Sequence, residues 1–437
     1  MKKKTYSNLN ESIYSKTLFN GLQVFLLPKS DFHKTYALFT TDYGSIDTSF
    51  IPINQTKPFR APDGVAHFLE HKLFEKENYD AFDLFSNLGA SSNAFTSFTK
   101  TSYLFSTIEN SYQSIELLLD FVQTPYFSKA SIEKEKGIIK QEIQMYLDDP
   151  NWCLFFGLLK NLYPNQPLSV DIAGSVESIT NISVNDLYTC YETFYQPSNM
   201  TLFITGPFIP EEMMKYIEIN QFSKKLPKPA EIKRIAPVSK QKVIQSSSYQ
   251  MSVAQPKMII GFKGNDALSH LSPENLLDYK LSLTFALQLL FSESSANYQR
   301  LYQKALIDDS FDAGFNLDRT FHFIEIYSDT NSPAKLAEIL EKMIFKFQNS
   351  ADWTDYHLNI IKKKTIGKTI ASLNSLEYIA NQFSQNLFGE KTIFDLPEVI
   401  NSIDLEMVTG YFEQFLITAE KSVFTIMPEN ISEATND

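Results

Sequence analysis

The chain of 437 residues has two cysteines, four arginines and an excess of acid over base. Two cysteines, Cys153 and Cys190, cannot build a disulfide framework and read as small buried hydrophobes. Nowhere does the chain hold about 18 consecutive apolar residues, the minimum for a transmembrane helix. The basic opening MKKKTYSNLNESIYSK has no apolar stretch behind it, so no secretory signal is expected, and the expected location is the cytoplasm. The 39 Lys+Arg against 51 Asp+Glu leave a net charge of −12. Nucleic acids and anionic membranes reward clustered positive charge, so neither is expected as a partner. No G-x-x-x-x-G-K-[ST] loop occurs, which argues against ATP use. His33, His270, His322 and His357 have no histidine or carboxylate at ligand spacing and read as structural. The run Lys362–Lys364 reads as a solvated helix face.

What is present is ordinary globular composition, 43% hydrophobic and 21% charged, at a length that holds several domains. The strongest linker signal is QFSKKLPKPAEIKRIAPVSKQK, residues 221–242, where Pro227, Pro229 and Pro237 sit among lysines without apolar periodicity. The expected division is a domain over 1–225, a linker over 226–242 and a second copy over 243–437. The halves read alike. LQVFLLP and YALFTTDYGS are strands, a strand centres on SNAFTSFTKTSYLFSTI, helices follow, and NMTLFITGP closes the first half. KMIIGFKG, LLDYKLSLTFALQLLF, TFHFIEIYSD, two helices and SVFTIMP repeat that order in the second. The expected fold class is α+β: two similar domains, each a mainly antiparallel sheet with helices packed on one face.

One segment carries chemistry. GVAHFLEHKLF places His67, Glu70 and His71 at i, i+3 and i+4, which a helix projects from one face. Two imidazoles on adjacent turns can bind one zinc ion, with the carboxylate beside the open coordination position. The bland alternative is a helix with two incidental histidines and a solvated glutamate. A catalytic zinc site needs a third protein ligand, and downstream the stretch IEKEKGIIKQEIQMY holds Glu135 and Glu142 two turns apart on one face, with Ile138 and Ile139 between them for packing. Lying against the first helix, it would complete a His₂Glu site. Read blandly, it is a surface helix stabilised by Glu–Lys pairs, as Glu133 is expected to be.

HxxEH is the inverzincin motif, and the chain resembles the pitrilysin/insulinase family of zinc peptidases. NGLQVFLLP, GVAHFLEH, GASSNAFTSF, EKEKGIIKQEI and FYQPSNMTLFITG follow the family's order through the first half, and the second half resembles the degenerate copy. HFLEHKLFEKE and EYIANQF resemble the YmfH-type bacterial members. The resemblance implies one zinc per chain held by His67, His71 and Glu142. It implies Glu70 as general base and Glu135 as a second acid supporting catalysis. Ser92, Asn93, Ala94, Phe95 and Thr96 match the edge strand to which peptide substrates add. The implied fold is one half-shell of a clamshell whose closed chamber admits short, unstructured peptides. The implied activity is zinc endopeptidase, in peptide processing or maturation. The alternative is a non-catalytic scaffold or peptide-binding accessory subunit.

The resemblance also bears on partners. In active members the half-shell facing the zinc supplies an Arg and, seven residues later, a Tyr that stabilise the oxyanion, where developing charge needs positioned donors. Here SSANYQRLYQKALIDDSFDAGF puts Tyr302 in place of the Arg and Phe311 in place of the Tyr, with a small insertion between them. No other arginine is in register: seven residues after Arg300, Arg319, Arg234 and Arg60 stand Ile307, Ile326, Gln241 and His67. The implied assembly is a heterodimer with a homologous subunit that keeps the Arg/Tyr pair, in preference to a homodimer.

Overall fold

The structure, a computed structural model, describes residues 1–224, 226, 229–236, 241–383 and 388–429. Residues 227, 228 and 237–240 of the expected linker lie outside the described residues. In chain order the strands are β1 (Lys2–Tyr6), β2 (Glu11–Thr17), β3 (Gln23–Pro28), β4 (Thr35–Thr41), β5 (Ser49–Ile51), β6 (Phe59–Arg60), β7 (Ser91–Thr96), β8 (Thr101–Thr107), β9 (Met200–Gly206), β10 (Lys233–Arg234), β11 (Ser246–Met251), β12 (Lys257–Lys263), β13 (Asp312–Asp318), β14 (Phe321–Asp329) and β15 (Glu420–Pro428). They form a seven-stranded sheet, β1-β2-β3-β9-β4-β8-β7, a small sheet, β10-β5-β6, and a five-stranded sheet, β11-β15-β12-β14-β13. No helix among the described residues is long and apolar enough to cross a membrane.

The two main sheets contain the same five-strand arrangement. β3-β9-β4-β8-β7 and β11-β15-β12-β14-β13 each begin with one parallel pair and continue antiparallel to the edge. The fold class is therefore α+β with mainly antiparallel sheets, as the repeated strand and helix order implies. β4 and β9 are buried along their whole length, which explains their continuous apolar and Thr-rich sequences.

The chain separates into two compact units, and neither is a continuous half. The first contains the described residues within 1–144, 170–238 and 372–386, the second those within 145–169, 239–371 and 387–437. In the first unit, Tyr103 and Phe105 of β8 pack against Phe121 and Phe85 from the helices on one face. Phe25 and Phe203, on the opposite face by register, pack against Phe383 of helix Leu376–Phe383. In the second unit, helix Pro150–Leu162 lies on β12 and β15, where Gly261 gives room for Leu158 and Gly157 for Phe424. Each sheet thus takes one covering helix from the other half of the sequence. A single cut at 226–242 does not describe these units, because helical periodicity says that a face is buried but not against which sheet.

The stretch 92–108 also differs from its reading as one strand. It is a hairpin of β7 and β8 that reverses between Ser97 and Lys100, where the Ser97 amide donates to the Lys100 carbonyl at 2.8 Å. No Gly or Pro marks that turn, so the reversal leaves no strong sequence signal. Its consequence is that β7 lies at the sheet edge.

Helix Val65–Phe74, which carries the HxxEH motif, starts at Gly64 in the left-handed region, φ 89°. A Cβ at Gly64 would lie 2.4 Å from the Ala173 carbonyl oxygen, so both backbone conformation and space require glycine. Gly64→Ala should lower stability by about 1–3 kcal/mol and shift the helix entry, read as a fall in thermal midpoint.

Candidate metal centre

Helix Val65–Phe74 buries Val65, Phe68, Leu69, Leu73 and Phe74, so its remaining face is fixed by packing and carries His67, Glu70 and His71. Phe74 stacks on Phe82 at 3.9 Å and packs on Phe121 at 4.9 Å. The second contributor is helix Lys129–Leu147, which buries Ile132, Glu135, Ile139 and Ile143. Of the two isoleucines expected to pack between its carboxylates, Ile139 is buried and Ile138 is 45% exposed, because the helix turns the latter to solvent.

These helices bring His67, His71 and Glu142 together, with one ligand atom from each within 4.8 Å of the others. The imidazole rings lie 4.6 Å apart at 60°. His67 Nε2 is 3.6 Å from Glu142 Oε1, and His71 Nε2 is 3.5 Å from Glu142 Oε2. Both exceed the about 2.7–3.2 Å of a good N–H···O hydrogen bond. They match donors that share an ion: a tetrahedral zinc with bonds near 2.1 Å separates neighbouring ligands by roughly 3.4 Å. The donor set, two neutral-capable imidazoles and one carboxylate, fits zinc. Burial, helped by the neighbouring His71, pushes His67 down to about 4, so it is neutral and able to ligate at physiological pH. Among the described residues no second group of this kind occurs.

Glu135 lies against His71 rather than in the open part of the site. Its Oε1 is 3.1 Å from His71 Nδ1 and its Oε2 is 3.4 Å from Lys72 Nζ. Its two oxygens thus face His71 and Lys72, side chains of helix Val65–Phe74. Burial opposes the charge on Glu135, but the hydrogen bond to His71 and the Lys72 ammonium outweigh it and hold the carboxyl below its usual range. Burial alone would lower His71, but the Glu135 hydrogen bond and the carboxylates of Glu70, Glu135 and Glu142 raise it.

Glu70 stands on the same helix face, and Thr96 Oγ1 of β7 donates to its Oε2 at 2.5 Å. Burial raises the Glu70 carboxyl, with the Thr96 hydrogen bond and His71 pulling the other way. This hydrogen bond ties the edge strand to the helix. Of the strand residues expected to meet substrate, Thr96 is thus engaged with Glu70, Asn93 Oδ1 accepts from the Ala94 amide, and Ser92, Ala94 and Phe95 are half-buried at the sheet edge. The sequence reading missed Lys72, which is fully buried beside the site; a lysine directly after HxxEH within an apolar helix was the available signal.

In the second unit the equivalent helix, Pro273–Phe291, has neither His nor an HxxEH pattern and buries Leu283, Phe285, Ala286 and Leu290 instead. Tyr302 is 47% exposed and stacks on Tyr298 at 6.0 Å. Phe311 packs on Phe291 and Tyr298, and Arg300 Nη2 donates to Asn297 Oδ1 at 2.9 Å.

Comparison with known proteins extends this. The family profile Insulinase (Peptidase family M16) matches residues 60–176, and the profile Peptidase M16 inactive domain matches residues 181–365. The chain is 44% identical over 427 residues to the uncharacterized zinc protease YmfH of Bacillus subtilis (strain 168), spanning 97% of this chain and 99% of that protein. Over 157 residues it is 31% identical to the mitochondrial-processing peptidase subunit beta of Homo sapiens, 35% of this chain and 32% of that one. An M16-like peptidase from Alicyclobacillus acidocaldarius, known from a crystal structure, shares the fold with a TM-score of 0.89 at 33% identity, over 96% of this chain and 99% of that one. With 44% identity to a zinc protease over nearly the whole of both chains, this chain belongs to the insulinase family, peptidase family M16, as a YmfH-type member.

Proposed function

We propose that this chain is a zinc-dependent endopeptidase that cleaves short, unstructured peptides, in processing or maturation and in the cytoplasm. The observation that carries the reading is the convergence of His67, His71 and Glu142 beside Glu70. His67, His71 and Glu142 would hold the zinc, which when bound would supply Lewis-acid polarisation of a carbonyl and acidification of water. Glu70 takes the water proton and passes it to the departing amine, a task suited to a carboxyl that burial has raised. Thr96 fixes the orientation of Glu70. The free edge of β7 offers backbone groups to an extended peptide, so Ser92 to Thr96 bind substrate by strand addition with little demand on its sequence. Folded proteins do not present such a strand.

The second unit, over 243–437 in the main, serves as a degenerate copy without metal. We expect one zinc per chain, by metal analysis of purified protein. Two tightly bound zinc ions, or none after metal-preserving purification, would overturn the assignment.

Glu70→Gln removes the base and leaves the ligands, so hydrolysis should fall at least roughly 10²-fold with zinc content unchanged. Glu142→Gln should instead weaken zinc retention in dialysis against a chelator. Normal turnover by the Glu70→Gln chain would show that the base is elsewhere.

The third element of the reading is a homologous partner subunit that supplies an Arg/Tyr pair, because Tyr302 and Phe311 stand where this chain would carry its own. One relative is, by its name, a subunit of a peptidase. A scaffold or accessory role is disfavoured, since a scaffold has no need of three converged donors. The purified chain alone should cleave test peptides weakly and gain activity when mixed with its homologous subunit. Full activity from the chain alone, abolished by Arg300→Ala, would rule the heterodimer out.

A further inference from the structure

Lys72 is an anomaly in helix Val65–Phe74. Its side chain is fully buried, although a buried ammonium costs several kcal/mol unless its charge is met. Two carboxylates meet it: Glu75 Oε2 at 2.5 Å and Glu135 Oε2 at 3.4 Å. A helical pair with Glu75, three residues on, needs no burial. Glu135 is different, because it comes from the other helix and its second oxygen faces His71 Nδ1 at 3.1 Å. Lys72 and His71 are neighbours in sequence, point about 100° apart around the helix, and are bridged by this one carboxylate.

We propose that Lys72 is a positioning residue of the metal centre, whose buried ammonium anchors Glu135 so that Glu135 fixes the ring orientation and tautomer of His71. The proposal rests on the zinc reading above. One oxygen of Glu135 held by Lys72 leaves the other aimed at the Nδ1–H of His71. That hydrogen bond keeps the His71 proton on Nδ1 and presents the bare Nε2 towards His67 and Glu142. Without the ammonium, one oxygen of Glu135 is left unpartnered in a dry interior, and the carboxylate has reason to turn from the imidazole. A role limited to Glu75 would stabilise the helix end and leave metal affinity alone.

Zinc affinity of the full chain, measured by competition with a chelator of known constant, separates the two. Lys72→Met, which keeps side-chain length, and Glu135→Gln should each weaken zinc binding about 10-fold or more, as loss of an outer partner does. Because they act as one unit, the double variant should be no more than about threefold weaker than the worse single one. Glu75→Gln should stay within about threefold of the parent chain. If Lys72→Met does not fold, Lys72→Gln takes its place in the same cycle. Zinc affinity unchanged by loss of Lys72, or a double variant equal to the product of the singles, would overturn the proposal and leave the peptidase reading standing. A parent chain that binds no zinc would overturn both.

Discussion

Around one helix turn, two imidazoles and the carboxylates of Glu70, Glu135 and Glu142 converge in a partly buried cluster, where each group takes up partners within the protein. Lys72 answers Glu135, Thr96 answers Glu70, and His71 is shared between Glu135 and Glu142. Many other local features serve this arrangement. Gly64 starts the helix where its neighbour Ala173 leaves no room for a side chain, and the Phe74, Phe82 and Phe121 cluster closes the helix end against its support.

The hairpin β7–β8 belongs to the same constraint. β8 is a mostly buried strand inside the sheet, while among the described residues β7 has a neighbour on one side only. The Thr96 hydroxyl connects that edge to Glu70, so the strand available to an extended peptide and the base proposed to act on it are held in one register. A peptide adding to β7 would be located relative to Glu70 by backbone hydrogen bonds, independent of its side chains.

Much of this was legible before any coordinates. The i, i+3, i+4 spacing of His67, Glu70 and His71 depends only on helical geometry, and the two-turn spacing of Glu135 and Glu142 does likewise. The repeated order of strands and helices along the two halves was visible, though neither the strand order within the sheets nor the β7–β8 reversal was. What could not be read is tertiary pairing. Helix Pro150–Leu162 and helix Leu376–Phe383 have ordinary amphipathic sequences, and nothing in them states that each covers the sheet of the other half. The fully buried Lys72 left only its apolar helical setting as a signal, since a lysine in a helix is normally read as solvated and its partner Glu135 lies 63 residues away. Ile138 was misplaced for a smaller reason of the same type: one residue's step, 100° of rotation, decides between core and solvent.

The second unit shows the same topology without a metal-ligand cluster among its described residues. Its counterpart to the HxxEH helix, Pro273–Phe291, carries no histidine, and its Leu283, Ala286, Leu287 and Leu290 belong to one buried cluster with Ile260 of β12 and Ile324 of β14. Apolar residues at these positions contribute burial without the desolvation cost that buried carboxylates incur. The unit that keeps the carboxylates therefore gives up stability that the other retains, and a chain has reason to bear that cost once only. A duplicated fold under this constraint divides naturally into one unit that holds charged groups in place and one that supplies packing.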